Sequence, residues 1–285
     1  PNADDLYLIG DFNDWDRHSH PMTKINDEDW EIFIKGIRTI AHGSRLKVLV
    51  HANGKILDRI PLFARRVERD HNNDFAMVLE NPRTKFKWTD EDFKIQDDDL
   101  LIYEAHIGMA GEDHKVSTYK EFEKYMLPRI KEDGYNTIQL MAIAEHPYYG
   151  SFGYQVSNFY APSSWYGETK DLKSLINTAH NMGLNVIMDL VHSHAVKNTA
   201  EGINEFDGTD YQFFHTGEEG NHPDWDSKLF DYKKPGVLHF LLSNVKYWLE
   251  EFHFDGFRFD GVTSMIYKNH GRGESFDNYS KYFSM

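Results

Sequence analysis

The chain has 285 residues and no cysteine, so no disulfide can form within it. Hydrophobic residues make up 40%, aromatics 15% and charged residues 27%, a balance that supports a sizeable core and excludes a disordered chain. The formal charge of −15 argues against a nucleic-acid backbone or an anionic lipid surface as partner, and no apolar run reaches membrane-spanning length.

From the N-terminus, residues 1–85 read as an all-β module. "DLYLIGDFNDW" is a short apolar run followed by turn residues, and an opening Pro1 in place of methionine predicts a processed or truncated end. "WEIFIKGI" alternates, with Trp30, Ile32 and Ile34 on one face and Glu31, Phe33 and Lys35 on the other. Asn53-Gly54, between the apolar runs of "RLKVLVHANGKILDRI", predicts a hairpin, and "FAMVLE" a further strand. Short strands joined by turns suggest a small sandwich. Trp15 and Trp30 read either as core residues or as stacking surfaces. Pro82 and the acidic run Asp97–Asp99 predict a linker, placed at 86–99.

Over residues 100–285 the character changes. "LLIYEAHIG" (100–108) and "TIQLMAI" (137–143) read as strands, as do "NVIMDLV" (185–191) and "GFRFDGV" (256–262). Between the first two, 118–134 reads as a helix opened by a Thr118–Glu121 capping box, with a kink or restart at Pro128. "TKDLKSLINTAHNMG" puts Leu172, Leu175, Ile176 and Ala179 on one helical face, with Gly183 at its end. A long polar loop follows from His192 to about Gly236. "LHFLLSNVKYWLEEF" then predicts a helix burying Leu238, Leu241, Leu242, Val245, Trp248, Leu249 and Phe252. The order β-α-β-α-β-α-β predicts parallel strands with right-handed crossovers.

In parallel α/β folds, sites form beyond the C-terminal strand ends. Here those ends carry Glu104 and His106, then Asp189 with "HSH", then Arg258 and Asp260. Alternation in "GFRFDGV" sets Phe257 and Phe259 on one face and Arg258 and Asp260 on the other. A buried charge needs a partner, so a structural ion pair is the plain reading of that pair. Asp189, His192 and His194 are all metal-ligand types, but D-x-x-H-x-H matches no metal signature, and a sugar-side polar network is the preferred reading. No phosphate-binding G-x-x-x-x-G-K-[ST] and no G-x-S-x-G elbow occurs.

"DLVHSH", "GYQVSNFYAPSSWYG" and "GFRFDGVTS" together resemble the α-amylase superfamily of glycoside-active barrels, glycoside hydrolase family 13. "YEAHIGMAGEDHKVSTYKEF", "LPRIKEDGYNTIQLMAI", "FDGTDYQFFH" and "WDSKLFDY" are similar to its glycogen branching enzymes of the eukaryotic type. The first 80 residues, with "YLIGDFNDW", resemble the family's N-terminal carbohydrate-binding module of the glycogen-binding type. The resemblance implies a multidomain chain, an N-terminal all-β sandwich followed by strands 1–4 of a (β/α)8 TIM barrel over 100–285. It implies that Asp260 is the nucleophile on the anomeric carbon and that Arg258 orients it and keeps it ionised. His194 matches the histidine that bonds the sugar at the cleaved position, and Asp189 an aspartate that orders the site. Tyr154, in "FGYQ", matches a stacking tyrosine, with loop packing as the alternative. The implied substrate is an α-1,4-glucan, cleaved with retention and transferred to a 6-hydroxyl to form α-1,6 branches. No metal or other cofactor, no nucleic acid and no membrane is implied, and the expected location is cytoplasmic.

The pattern departs from the family at its end. The family's general acid is a glutamate on the fifth strand, but Glu274 in "GRGESF", the sole glutamate after Val262, precedes that strand and does not match. The expectation is therefore a piece of a longer enzyme, inactive alone because the general acid is absent from this chain. A hydrolase or debranching enzyme of the same superfamily, or a non-catalytic glucan-binding protein, is the alternative.

Overall fold

A computed structural model describes residues 1–36, 39–82, 84–95, 99–267, 269–270, 272 and 277–284. The N-terminal strands are β1 (Asp5–Gly10), β2 (Thr23–Lys24), β3 (Trp30–Glu31), β4 (Arg45–Ala52), β5 (Lys55–Arg59), β6 (Val67–Arg69) and β7 (Phe75–Val78). Five of them form one antiparallel sheet in the order β1-β4-β7-β6, with β5 also on β4, while β2 and β3 form a separate ribbon. The β4–β5 hairpin turns at Asn53-Gly54 as expected, pairing Ala52 with Lys55. Ile9, Leu49, Val50, Val67 and Phe75 are buried.

The alternating "WEIFIKGI" gives only Trp30–Glu31 to a strand, because β2 offers it just two partners. Phe33 is left 87% exposed. The three-residue β6 was too short to show a period.

The module docks on the rest of the chain through apolar contacts, with Phe63 on Tyr160 and Phe240 and with Ala161 among Ile60, Ala64, Val67 and Phe75, and through polar ones. Arg59, fully buried, donates to the Asn204 carbonyl, and Arg69 Nη2 donates to Pro147 O at 2.7 Å. Asn2 Nδ2 donates to Asp207 Oδ2 at 2.7 Å. The segment between the N-terminal module and the parallel sheet contains no helix or strand among its described residues, and Asp97 and Asp98 of the expected acidic run lie outside them. It is nonetheless clasped. Trp88 stacks on His253 at 3.8 Å, Phe93 stacks on His180 at 4.1 Å, and Asp90 accepts from both histidines at 2.8 Å.

Beyond the clasp, β8 (Ile102–Ala105), β9 (Thr137–Leu140), β12 (Asn185–Leu190) and β15 (Gly256–Phe259) form a four-stranded parallel sheet in chain order. Smaller pairs sit in the connections: β10 (Ala144–Glu145) with β11 (Asn158–Pro162), and β13 (His194–Val196) with β14 (Ser227–Leu229). The stretch from His192 to Gly236, expected as a polar loop, thus holds strands and buries Phe213, Phe214 and Phe230. Its aromatics are spaced irregularly, so no period revealed them.

The crossovers are helical. α1 (Tyr119–Glu121), a π-helical stretch Phe122–Met126 and α2 (Leu127–Glu132) run together. The wider π turn accommodates Pro128, which has no N–H to donate. The capping box is formed: Thr118 Oγ1 accepts from Glu121 N at 3.2 Å, and Glu121 Oε2 accepts from Thr118 N at 2.9 Å. Thr118→Ala is expected to cost about 1 kcal/mol, read by calorimetry as a lowered Tm.

α3 (Thr169–Asn181) buries Leu172, Leu175, Ile176 and Ala179 as its period predicts. α4 (Pro235–Phe252) departs from its predicted stripe. It buries Val237, Phe240, Leu241, Asn244, Tyr247, Trp248 and Phe252, and leaves Leu238, Leu249 and the 67%-exposed Leu242 at the surface. Its apolar arc is wide, so the pattern does not set the rotation. Phe240 sets it, by packing on Phe159, Tyr160 and Phe213 with centroids at 5.4–5.5 Å. α5 (Val262–Ile266) and α6 (Tyr279–Ser284) follow β15. No described helix is long and apolar enough to cross a membrane.

Candidate active site

The site is built on the parallel pairing of β12 and β15, which sets Asp189 beside Arg258. Asp260 lies one residue past β15, held there by its own N–H on Leu190 O at 3.0 Å. Arg258 Nη1 donates to Asp189 Oδ2 and to Asp260 Oδ1, each at 2.9 Å. One guanidinium nitrogen thus joins both carboxylates: strand alternation predicts the side shared with Asp260, and the β12–β15 register adds Asp189. The next residue has to be glycine. Gly261 has φ 64°, and a Cβ there would lie 2.5 Å from Ser193 Oγ.

Asp189 is the buried member, its side chain 0% exposed. Besides Arg258 it accepts from Tyr154 OH at 2.6 Å on Oδ2 and from Gln139 Nε2 at 2.8 Å on Oδ1. Burial raises its pKa above the ordinary carboxylate value, only partly opposed by the Tyr154 hydrogen bond and the Arg258 charge. The same burial, with the Asp189 hydrogen bond, pushes the Tyr154 phenol up, so it stays a donor. Burial pulls Arg258 down, but the charges of Asp189 and Asp260 outweigh it and raise its pKa.

Tyr154 reaches Asp189 from the loop after β10. The turn before it needs Gly153, with φ 91°, where a Cβ would sit 1.8 Å from the Ala142 carbonyl. His194 braces the same loop. Its Nε2 lies 2.8 Å from Tyr154 O and its Nδ1 2.9 Å from Ser193 Oγ, with Trp225 against its ring at 5.1 Å. Burial lowers the pKa of His194, which favours the neutral ring.

His192 does not join this group. Its Nε2 bonds Asn244 Oδ1 on α4 at 2.9 Å, and burial lowers its pKa to about 4. His192 lies between the end of β12 and the start of β13 and is claimed by α4, so the expected network of Asp189, His192 and His194 loses its middle member. Among the described residues, no group of three or more His, Asp or Glu could hold a metal ion. His106 likewise turns aside, its Nε2 3.1 Å from Tyr166 OH. Glu274 lies outside the described residues. In the N-terminal module Trp15 and Trp30 are both half-buried, and Trp15 Nε1 donates to Asp11 Oδ1 at 3.1 Å.

Two neighbours of the site were missed from sequence. Gln139 is a polar side chain inside the apolar run "TIQLMAI", which was its signal. Trp225 stacks on His222 at 3.8 Å and would come within 3.0 Å of a Cβ at Gly261; its only sign was its place in "WDSKLFDY".

Comparison with known proteins gives this geometry its relatives. Residues 1–64 match carbohydrate-binding module 48, the isoamylase N-terminal domain. The chain is 50% identical over 293 residues to a 1,4-alpha-glucan-branching enzyme of Yarrowia lipolytica, 49% over 287 residues to one of Dictyostelium discoideum, and 47% over 292 residues to one of Felis catus. These alignments cover 98–100% of the chain, while the chain spans 42% of each relative's length. Among solved structures it is similar in fold to a putative alpha amylase from Salmonella typhimurium, with TM-score 0.74, 22% identity, and coverage of 93% of this chain and 41% of that one. It is also similar to the catalytic module of the pneumococcal virulence factor SpuA, with TM-score 0.72, 18% identity, and coverage of 95% and 46%. At those identities the likeness is one of fold alone. The family described as "Alpha amylase, catalytic domain" matches residues 125–284, more than half of the 285 residues, and the chain belongs to that family.

Proposed function

We propose that this chain carries the nucleophile side of a 1,4-α-glucan branching site. In this reading residues 1–85 are a glucan-binding sandwich, 86–99 a linker and 100–285 the first four β/α units of a TIM barrel. The observation that supports it most is the Asp189–Arg258–Asp260 arrangement at the C-terminal edge of the parallel sheet, in a chain about half identical to branching enzymes.

Asp260 attacks the anomeric carbon while the α-1,4 C–O bond breaks. The leaving 4-oxygen takes a proton from a carboxylic acid supplied by a chain extended to its relatives' length. The glucosyl ester on Asp260 is then opened by the 6-hydroxyl of a second glucan, whose proton returns to that carboxylate. Arg258 supplies the counter-charge that orients Asp260, Asp189 orders the sugar side through Tyr154, and His194 holds the Tyr154 loop against the sugar. Transfer competes with water, so the acceptor glucan must be held in place, and a glucan module in the same chain raises its effective concentration.

The test gives linear α-glucan to a protein of the relatives' full length that carries this chain. The expected result is loss of iodine colour with new α-1,6 linkages and few new reducing ends. Reducing ends rising without branches would make the protein a hydrolase and reject transfer. No change in the glucan would reject turnover.

A further inference from the structure

We propose that Gln139 is a positioning residue for the Asp189–Arg258–Asp260 cluster, and that Glu104 on the strand beyond it sets the charge against which the cluster works. The inference rests on the reading of that cluster as the reacting site.

Glu104, Gln139, Asp189 and Arg258 stand on four successive parallel strands. Backbone register pairs Glu104 with Gln139 across β8 and β9, and Asp189 with Arg258 across β12 and β15. Their side chains form a continuous row. Gln139 Nε2 donates to Asp189 Oδ1 at 2.8 Å and to Glu104 Oε1 at 3.3 Å. A carboxamide nitrogen has two N–H groups, so this spends both. With a carboxylate oxygen on either side, the amide cannot be flipped, because its own oxygen would then face two acceptors.

The other two donors to Asp189, Tyr154 and Arg258, both sit on Oδ2. Gln139 therefore holds the opposite oxygen and stops the carboxylate from rotating. Without it Oδ1 faces a buried space with no donor, and the Arg258 hydrogen bond that leads on to Asp260 loses its fixed acceptor. Ile138 and Leu140, on either side of it, are fully buried on the opposite face of β9, and Gln139 faces the side that carries Asp189 and Glu104.

The groups facing Asp189 from each element around it are Gln139 on β9, Glu104 on β8, Tyr154 after β10, Arg258 on β15 and Asp260 beyond it. Burial raises the Asp189 pKa, Tyr154 and Arg258 oppose that, and the charges of Glu104 and Asp260 add to it. The two partners on the row therefore act with opposite sign. Loss of the Gln139 donor disfavours the Asp189 carboxylate, and loss of the Glu104 charge favours it.

The experiment compares Gln139→Leu with Glu104→Gln. Titration of the Asp189 carboxyl is followed in the chain by carbon-13 NMR with labelled aspartate, the line being identified by its loss in Asp189→Asn. Gln139→Leu is expected to move the titration up and Glu104→Gln to move it down. In the extended protein acting on amylose, Gln139→Leu is expected to lower kcat roughly 10- to 100-fold, the scale of a lost hydrogen bond to a charged group, and the acid limb of the pH profile is expected to follow the same two directions. Glu104 is exposed, so its glutamine variant keeps the fold and carries the test if Gln139→Leu does not fold. Shifts of the same sign, or none, overturn the proposal. Opposite shifts together with an unmutated extended protein that leaves amylose intact uphold the positioning contact and overturn the functional reading instead.

Discussion

Asp260→Asn in a protein of the relatives' length is expected to lose roughly 10⁴–10⁶-fold in kcat while retaining its affinity for α-glucan. The amide keeps the shape of the carboxylate and can still accept from Arg258 Nη1, now 2.9 Å from Asp260 Oδ1, so the site stays assembled. It lacks the negative charge that makes the oxygen a nucleophile, and no glucosyl ester forms. Single-turnover kinetics on a labelled oligosaccharide, with trapping of the covalent intermediate, measure this. A rate within tenfold of the unmutated protein, or an intermediate still formed in the variant, removes Asp260 from the nucleophile role.

His180→Leu is expected to destabilise the chain by roughly 3–5 kcal/mol, the scale of a buried charge pair losing one partner. His180 Nδ1 faces Asp90 Oδ2 at 2.8 Å and its Nε2 faces Asp255 Oδ2 at 3.0 Å, and the three side chains are 2%, 5% and 8% exposed. Only the imidazolium has a donor for both carboxylates. Burial pulls the His180 pKa down, but the hydrogen bonds to Asp255 and Asp90 outweigh it and raise it above the ordinary histidine value.

The sign of the pH dependence follows. A folded pKa above the unfolded one gives stability that is complete below about 6.5 and is lost as pH rises through the folded value. For Asp90, burial raises the pKa, but the bonds from His180 and His253 prevail and lower it. Its contribution is therefore present above about 3.9 and lost as pH falls through the folded value. The clasp is thus strongest between about pH 4 and 6.5. Urea unfolding at pH 6 and pH 9 is expected to show the unmutated chain weakening with pH and His180→Leu lacking that slope. Equal slopes in the two would show that the clasp does not carry the charge assigned to it.

Much of this arrangement was legible in the sequence. The hairpin at Asn53-Gly54, the capping box at Thr118 and Glu121, and the α3 stripe from Leu172 to Ala179 each follow from rules acting over a few residues. The same holds for Arg258 and Asp260. Two positions apart at a strand end, they share a side, and opposite charge draws them together. Short-range periodicity and local chemistry were enough to place them, and the long motifs around them carried the family.

Tertiary structure alone decided the remainder. The face that α4 buries was set by Phe159, Tyr160 and Phe213, which lie up to 81 residues before Phe240, because an apolar arc wider than the contact surface admits several rotations. His192 and His194 are alike in sequence but not in place, since Asn244 on α4 claims the first and the Tyr154 carbonyl the second. Gln139 became part of the site only when β9 was laid between β8 and β12, and His180 became a charged clasp only when residues 90 and 255 closed on it. Each is a contact between segments remote in sequence. Periodicity names the side of an element that a residue occupies, and only packing supplies what it meets there.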